Sequence, residues 1–126
     1  DVVREVGDFF QERLGKLQAH GLAPEQVVFD PGIGFGKTLE HNLALLAGLR
    51  NFTKLQRPLL LGVSRKSFLG KISGAKTNER LPASLACTTL ALAGGAAQII
   101  RTHDVAETVQ AARMAEAVLA RNNDVE

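Results

Sequence analysis

The sequence has one cysteine, Cys87, and neither tryptophan nor tyrosine among its 126 residues. A lone cysteine excludes an intrachain disulfide, and without clustered Cys and His there is no structural zinc site, so a reducing compartment fits best. Long apolar runs are missing too: glycine or charge interrupts each one well short of the roughly 18 residues a membrane helix needs. The opening DVVREVGDFF is acidic and helical rather than a basic leader with an apolar stretch behind it, so no export signal or membrane partner is expected. Nor does one charge sign dominate. Lys and Arg total 15 against 13 Asp and Glu, and the basic residues are scattered, which leaves no nucleic-acid footprint. A small anionic substrate stays open. What is present is 45% apolar residues, 22% charged residues and 12 glycines, the composition of one globular domain or of part of a larger one.

Val3, Val6, Phe10, Leu14 and Leu17 recur at the period of a helix with one buried face, and Gly21 stops it. VVFD, ending at Asp30, reads as a short strand that leads into the glycine-dense PGIGFGK. Thr38 caps a second helix with Leu39, Leu43, Leu46 and Leu49 on its apolar face. LLLGV, ending at Val63, gives a second strand, followed by SRKSFLG and a polar surface loop over 70–82. A helix over Ala83 to Ala93 ends at Gly94-Gly95. QIIRTH is the third strand, and the last helix carries Val105, Val109, Ala112, Ala115 and Leu119 on one face. Apolar runs alternating with helices are what strands buried on both faces of a parallel sheet look like, so the fold class is α/β. Three strands with about four helices cannot close a (β/α)8 barrel, which takes about 250 residues. The chain reads either as a small open sheet or as the C-terminal half of a larger α/β protein.

In parallel α/β folds the residues just after the strands converge at one end of the sheet. Here they are Asp30 with the glycine loop, then Ser64, Arg65, Lys66 and Ser67, then Arg101 and His103. One carboxylate among several cations suits a polar ligand with an anionic part. The loop is not a nucleotide motif. A P-loop needs glycine where Pro31 stands, and a dinucleotide fingerprint needs its third glycine at Lys37. What remains is a loop whose Gly32, Gly34 and Gly36 permit close ligand approach, with Phe35 free to lie against a flat ring, or else a plain strand-to-helix turn. Asp30 has oxygens suited to the paired N–H groups of an aminopyrimidine, or it caps the loop. Arg101 and His103, two apart on a strand, project to one face and can cradle a phosphate or diphosphate. Ser64 to Ser67 precede a helical turn, where hydroxyls and free amides favour an anion. Asp104 and Glu107 have the spacing of a capping box. Lys37, Lys71 and Lys76 read as solvated, His20 and His41 as surface residues, and Cys87 as core.

FDPGIGFGKTLEHNLALLAGL, LLLGVSRKSFLG, ERLPASLA and IIRTHDV, in this order and spacing, resemble the C-terminal half of the bacterial dihydropteroate synthase family. The resemblance covers essentially the whole chain. It implies a single pterin-binding TIM-barrel domain over 1–126, with this segment supplying the last three strands and their helices. The family is a transferase of folate biosynthesis and a sulfonamide target. It joins 6-hydroxymethyl-7,8-dihydropterin diphosphate to para-aminobenzoate and releases diphosphate, with Mg²⁺ present. By resemblance Asp30, Gly62 and Lys66 bind the pterin, Gly34, Phe35, Arg65 and Ser67 border the aminobenzoate, and Arg101 and His103 hold the diphosphate. Lys66, Arg101 and His103 are then the catalytic set. The metal ligand, in that reading, belongs to the N-terminal half of the barrel, so this chain holds none and is expected to be inactive alone. A cytoplasmic homodimer that pairs with the missing half is implied. Two other readings stand beside it: a pterin-dependent methyltransferase domain, which shares the barrel, and a non-catalytic pterin-binding or partner-pairing fragment.

Overall fold

The computed structural model describes residues 1–122, in which five α-helices accompany a short parallel sheet. Helix α1 (Val2–Ala19) begins where the Asp1 carboxylate accepts from the amides of Val3 and Arg4, at 3.1 and 3.2 Å. From its apolar stripe Phe10 stacks on Phe29, centroids 4.4 Å apart, and meets Phe52 edge-on at 5.3 Å. These rings join α1, the first strand position and the turn after the second helix into one core. Truncating one of them to alanine is expected to cost about 3–5 kcal/mol.

Strand β1 (Leu60–Leu61) pairs in parallel with β2 (Ile99–Ile100), Leu60 opposite Ile99 and Leu61 opposite Ile100. The expected first strand, VVFD, contributes a single parallel bridge, Phe29 to Leu59. The Phe29 amide donates to Pro58 and its carbonyl accepts from Leu60. The ladder stops there because the next rung needs an N–H at Pro31, which has none, while the Val27 carbonyl is taken by Arg57 Nε at 3.2 Å. Three strand positions therefore lie in chain order, but two short strands and a bridge replace the three strands expected. Helices α2 (Leu39–Gly48), α4 (Leu81–Ala93) and α5 (Val105–Arg121) fall near their expected places, and α3 (Ser67–Ser73) is a full helix where a helical turn was read.

The sheet is covered on one face only. Val27, Phe29, Leu59, Leu61 and Val63 are buried, whereas Val28 and Ile99 are 46% and 40% exposed, so burial on both faces does not hold for these residues. Two helix faces also differ from the periodic reading. On α5 the inward side is Thr108, Ala112, Ala115 and Leu119, and the expected Val105 and Val109 lie outside; on α2, Asn42 replaces Leu43 in the interior. The polar loop starts later than expected, because α3 runs to Ser73 and ends at Gly74. Arg80 closes it, donating to the carbonyls of Ala75 and Arg65 at 3.1 and 3.0 Å. Gly70 makes the room: a Cβ there would stand 2.6 Å from Arg80 Nη2 and 2.8 Å from the Ala75 oxygen. Among the described residues no helix is long and apolar enough to cross a membrane.

Candidate active site

The glycine loop after Phe29 is held by side chains from three directions. Asp30 Oδ1 accepts from the Gly32 amide at 2.8 Å, closing the turn it starts, and the residue is exposed. Asn42, buried on α2, accepts from the Gly34 amide at 2.8 Å. Lys37 donates to the carbonyls of Gly32 and Phe35 at 2.8 and 3.0 Å. Against the solvated role its sequence context suggests, Lys37 is the clamp of the loop. Its acceptors point inward only because Gly32, Gly34 and Gly36 all adopt positive φ, and that geometry is not written in the spacing. Nothing in the sequence marks Asn42 for this role, because a polar residue on a helix carries no signal of its own.

Lys66 reaches back from the loop after β1 and donates to the Ile33 carbonyl, and its ammonium lies 4.7 Å from the centre of the Phe35 ring. Burial lowers its pKa from the ordinary lysine value; the negative charge of Asp30 works against that shift, while Arg101 and Lys37 add to it. Asp30, Lys66 and Arg101 thus share one electrostatic neighbourhood. Gly62 lies between two of them: a Cβ there would stand 3.7 Å from Arg101 Cβ and 4.0 Å from Lys66 Nζ. Gly62, Ser64, Lys66, Arg101, Thr102 and His103 line a cleft of about 230 Å³ at the ends of the two strands. The ladder ends at Ile100, and Arg101, Thr102 and His103 all line this cleft, so the strict two-residue alternation of a strand does not continue past it; Thr102 Oγ1 accepts from the Asp104 amide at 3.1 Å.

Ser64 is buried and links the two strand ends. Its Oγ accepts from the His103 amide at 3.1 Å and lies 2.7 Å from His103 Nδ1. Ser67, the first residue of α3, is exposed. Arg65 has φ +58, with its amide donating to Ser84 Oγ at 3.2 Å and its carbonyl accepting from Arg80. Its guanidinium donates twice to the Asp104 carboxylate, at 2.7 and 3.3 Å. That pair lowers the Asp104 pKa and raises that of Arg65. The capping box read from Asp104 and Glu107 does not form: the Asp104 side chain caps nothing, and Thr108 Oγ1 bonds the Asp104 carbonyl instead. Cys87 is half-buried on α4, its thiol pushed up by burial. His20 and His41 are exposed.

The donor set can neutralise an anion and grip a polar ring. It does not fit Mg²⁺: among the described residues no cluster of three or more His, Cys, Asp or Glu forms, and the carboxylate beside the cleft, Asp30, stands among Lys66, Lys37 and Arg101.

Three strand ends bring an acid, a lysine and an Arg–His pair to one end of the sheet, and the chain belongs to the pterin-binding enzymes, whose family model matches residues 1–103. Within that family it is similar to the dihydropteroate synthase of Escherichia coli strain K12, 48% identical over 119 residues, covering 94% of this chain and 42% of the relative. The crystal structure of Yersinia pestis dihydropteroate synthase in a sulfonamide drug complex superposes with a TM-score of 0.91 at 42% identity, covering 95% of this chain and 43% of that one. A dihydropteroate synthase from Coxiella burnetii in complex with pteroic acid gives 0.89 at 34% identity, covering 94% and 43%. The chain therefore spans less than half the length of these relatives.

Proposed function

We propose that this chain is the C-terminal part of a dihydropteroate synthase barrel, condensing 6-hydroxymethyl-7,8-dihydropterin diphosphate with para-aminobenzoate to give dihydropteroate and diphosphate. The observation that carries it is the cleft itself, where Lys66, Arg101 and His103 meet within about 230 Å³ beside Asp30. Asp30 keeps Oδ2 for a ring N–H, and Lys66 bonds the polar edge of the pterin over the bare floor of Gly62. Arg101 and His103 take the diphosphate. Loss of that group leaves positive charge on the pterin methylene, so the barrier falls most where the departing oxygens are neutralised; the arylamine nitrogen then attacks. Phe35, two-thirds exposed, and Gly34 and Ser67 border the aminobenzoate. The Asp104 pairing favours a role for Arg65 in holding the loop.

The open sheet face bearing Val28 and Ile99 is where the other strands of the barrel pack, and ligands for Mg²⁺ come from those strands. An apolar groove of about 420 Å³ between α4 and α5, with Met114 and Val118 exposed, is the face on which a homodimer forms. A cytoplasmic setting follows from the same reading. The test joins this chain to the N-terminal part of the barrel and measures aminobenzoate-dependent diphosphate release. Release, abolished in Arg101→Ala, is expected; pterin binding without release would favour a non-catalytic protein.

A further inference from the structure

We propose that Ser64 is a positioning residue that fixes the tautomer of His103, so that the imidazole presents Nε2–H to the cleft as a donor for an anionic oxygen. A hydroxyl has one proton and two acceptor sites. The Ser64 oxygen already accepts from the His103 amide, and its other described partner is Nδ1 of the same residue at 2.7 Å. If Nδ1 carried the imidazole proton, the oxygen would receive two donors, and its own proton, on a side chain only 7% exposed, would have no described acceptor. With Nδ1 unprotonated every group is satisfied: the amide donates to Oγ and Oγ–H donates to Nδ1. Nε2, across the ring, then carries the proton and takes no partner among the described residues.

The pairing is also a positioning element in space. Ser64 follows β1 and His103 follows β2, so the two bonds from one hydroxyl lock both strand-end loops and aim the ring at the cleft it shares with Lys66 and Arg101. A ring fixed in this way donates to an anion as a neutral group, with no need to gain a charge. Its purpose rests on the diphosphate reading above, but its geometry does not.

Histidine ring ¹⁵N spectra of the barrel protein carrying this chain, recorded at about pH 8.5 where ordinary imidazoles are neutral, test it. His20 is an internal contrast, because its Nδ1 lies 2.8 Å from the Lys16 carbonyl, which can only accept, so that ring carries Nδ1–H. The expected result is an unprotonated Nδ1 and protonated Nε2 for His103, the reverse of His20. Ser64→Ala should return His103 to the mixed signals of a free imidazole and lower turnover on the order of tenfold, the smaller end of what losing the orienting partner of a metal-bound histidine costs, while Ser64→Thr keeps both. A protonated Nδ1 in the unsubstituted protein, ring signals unchanged in Ser64→Ala, or full turnover despite a lost tautomer would each overturn the proposal. If Ser64→Ala does not fold, the unsubstituted spectrum decides alone. Diphosphate release failing while the Nε2–H tautomer is in place would count against the proposed function and not against this role of Ser64.

Discussion

The Lys66 ammonium sits 4.7 Å from the centre of the Phe35 ring while it donates to the carbonyl of Ile33, so the lysine proposed to meet the pterin also holds the ring proposed to border the aminobenzoate. Phe35 is otherwise bare, and an exposed cation–π contact is worth about 0.5–1 kcal/mol. Phe35→Ala should lower stability by no more than that amount and, through the lost ring contact to aminobenzoate, worth about 0.5–1.5 kcal/mol for an aromatic pair, raise its KM about two- to twelvefold. An unaltered KM in steady-state assays would remove Phe35 from the site.

Burial lowers the Lys66 pKa, so the proton leaves at a lower pH than from a free lysine, and the charge proposed to grip the pterin fades as pH rises through that value. Pterin binding followed by calorimetry should therefore have an alkaline limb below the ordinary lysine range. Lys66→Arg stays charged throughout and should bind more weakly at neutral pH, because a planar fork does not fit the place of a point charge, but without that limb. The same limb in Lys66→Arg would assign it to another group.

The strand ends are legible in the sequence because each apolar run stops at a charged or polar residue, Asp30, Ser64 or Arg101, and parallel topology gathers such residues at one end. What is not legible depends on partners far away in the chain. The first strand shrinks to a bridge through Pro31 and through Arg57, 30 residues from the carbonyl it takes. Asp104 and Glu107 have capping spacing, yet Arg65, 39 residues away, claims the carboxylate. Lys37 looks like any surface lysine until positive φ at three glycines turns two carbonyls toward it. Periodicity places α5, but it cannot say that Thr108 faces inward and Val109 does not, since that is set by how α4 crosses it.

Asn42 and Gly34 form the anchor between α2 and the glycine loop. Asn42→Ala removes the acceptor for the Gly34 amide and should cost about 1 kcal/mol of stability. Amide exchange is the direct measure: Gly34 should be protected in the unsubstituted protein and exchange rapidly in Asn42→Ala. Equal protection in both would mean that the loop holds itself.

Gly34 has φ +83, and a Cβ there would lie 3.0 Å from Lys66 Cδ. Gly34→Ala should cost about 1–2 kcal/mol for the left-handed backbone alone. The flexible lysine stem can move aside, so the collision should appear less in stability than in ligand affinity, with pterin binding weakened beyond the loss in unfolding free energy. A variant as stable as its parent and with unchanged pterin affinity would show that neither the angle nor the contact matters.

Arg65 is held in a left-handed conformation by Ser84 on its amide, Arg80 on its carbonyl and Asp104 on its guanidinium, and Lys66 is the next residue. The hydrogen bond from Arg65, and its charge, lower the Asp104 pKa. A carboxylate whose folded pKa lies below its unfolded value adds stability that is fully present above the unfolded value, about 3.9, and is lost as pH falls through the folded one. Asp104→Asn should therefore melt below the parent at pH 7, and the gap should close as the pH is taken below about 4. Because the ion pair is exposed, added salt should narrow the gap at pH 7 as well. The same substitution frees the loop that presents Lys66, so pterin affinity should fall with the melting temperature at neutral pH. A gap that persists unchanged in acid would mean that Asp104 acts by packing and not through its charge.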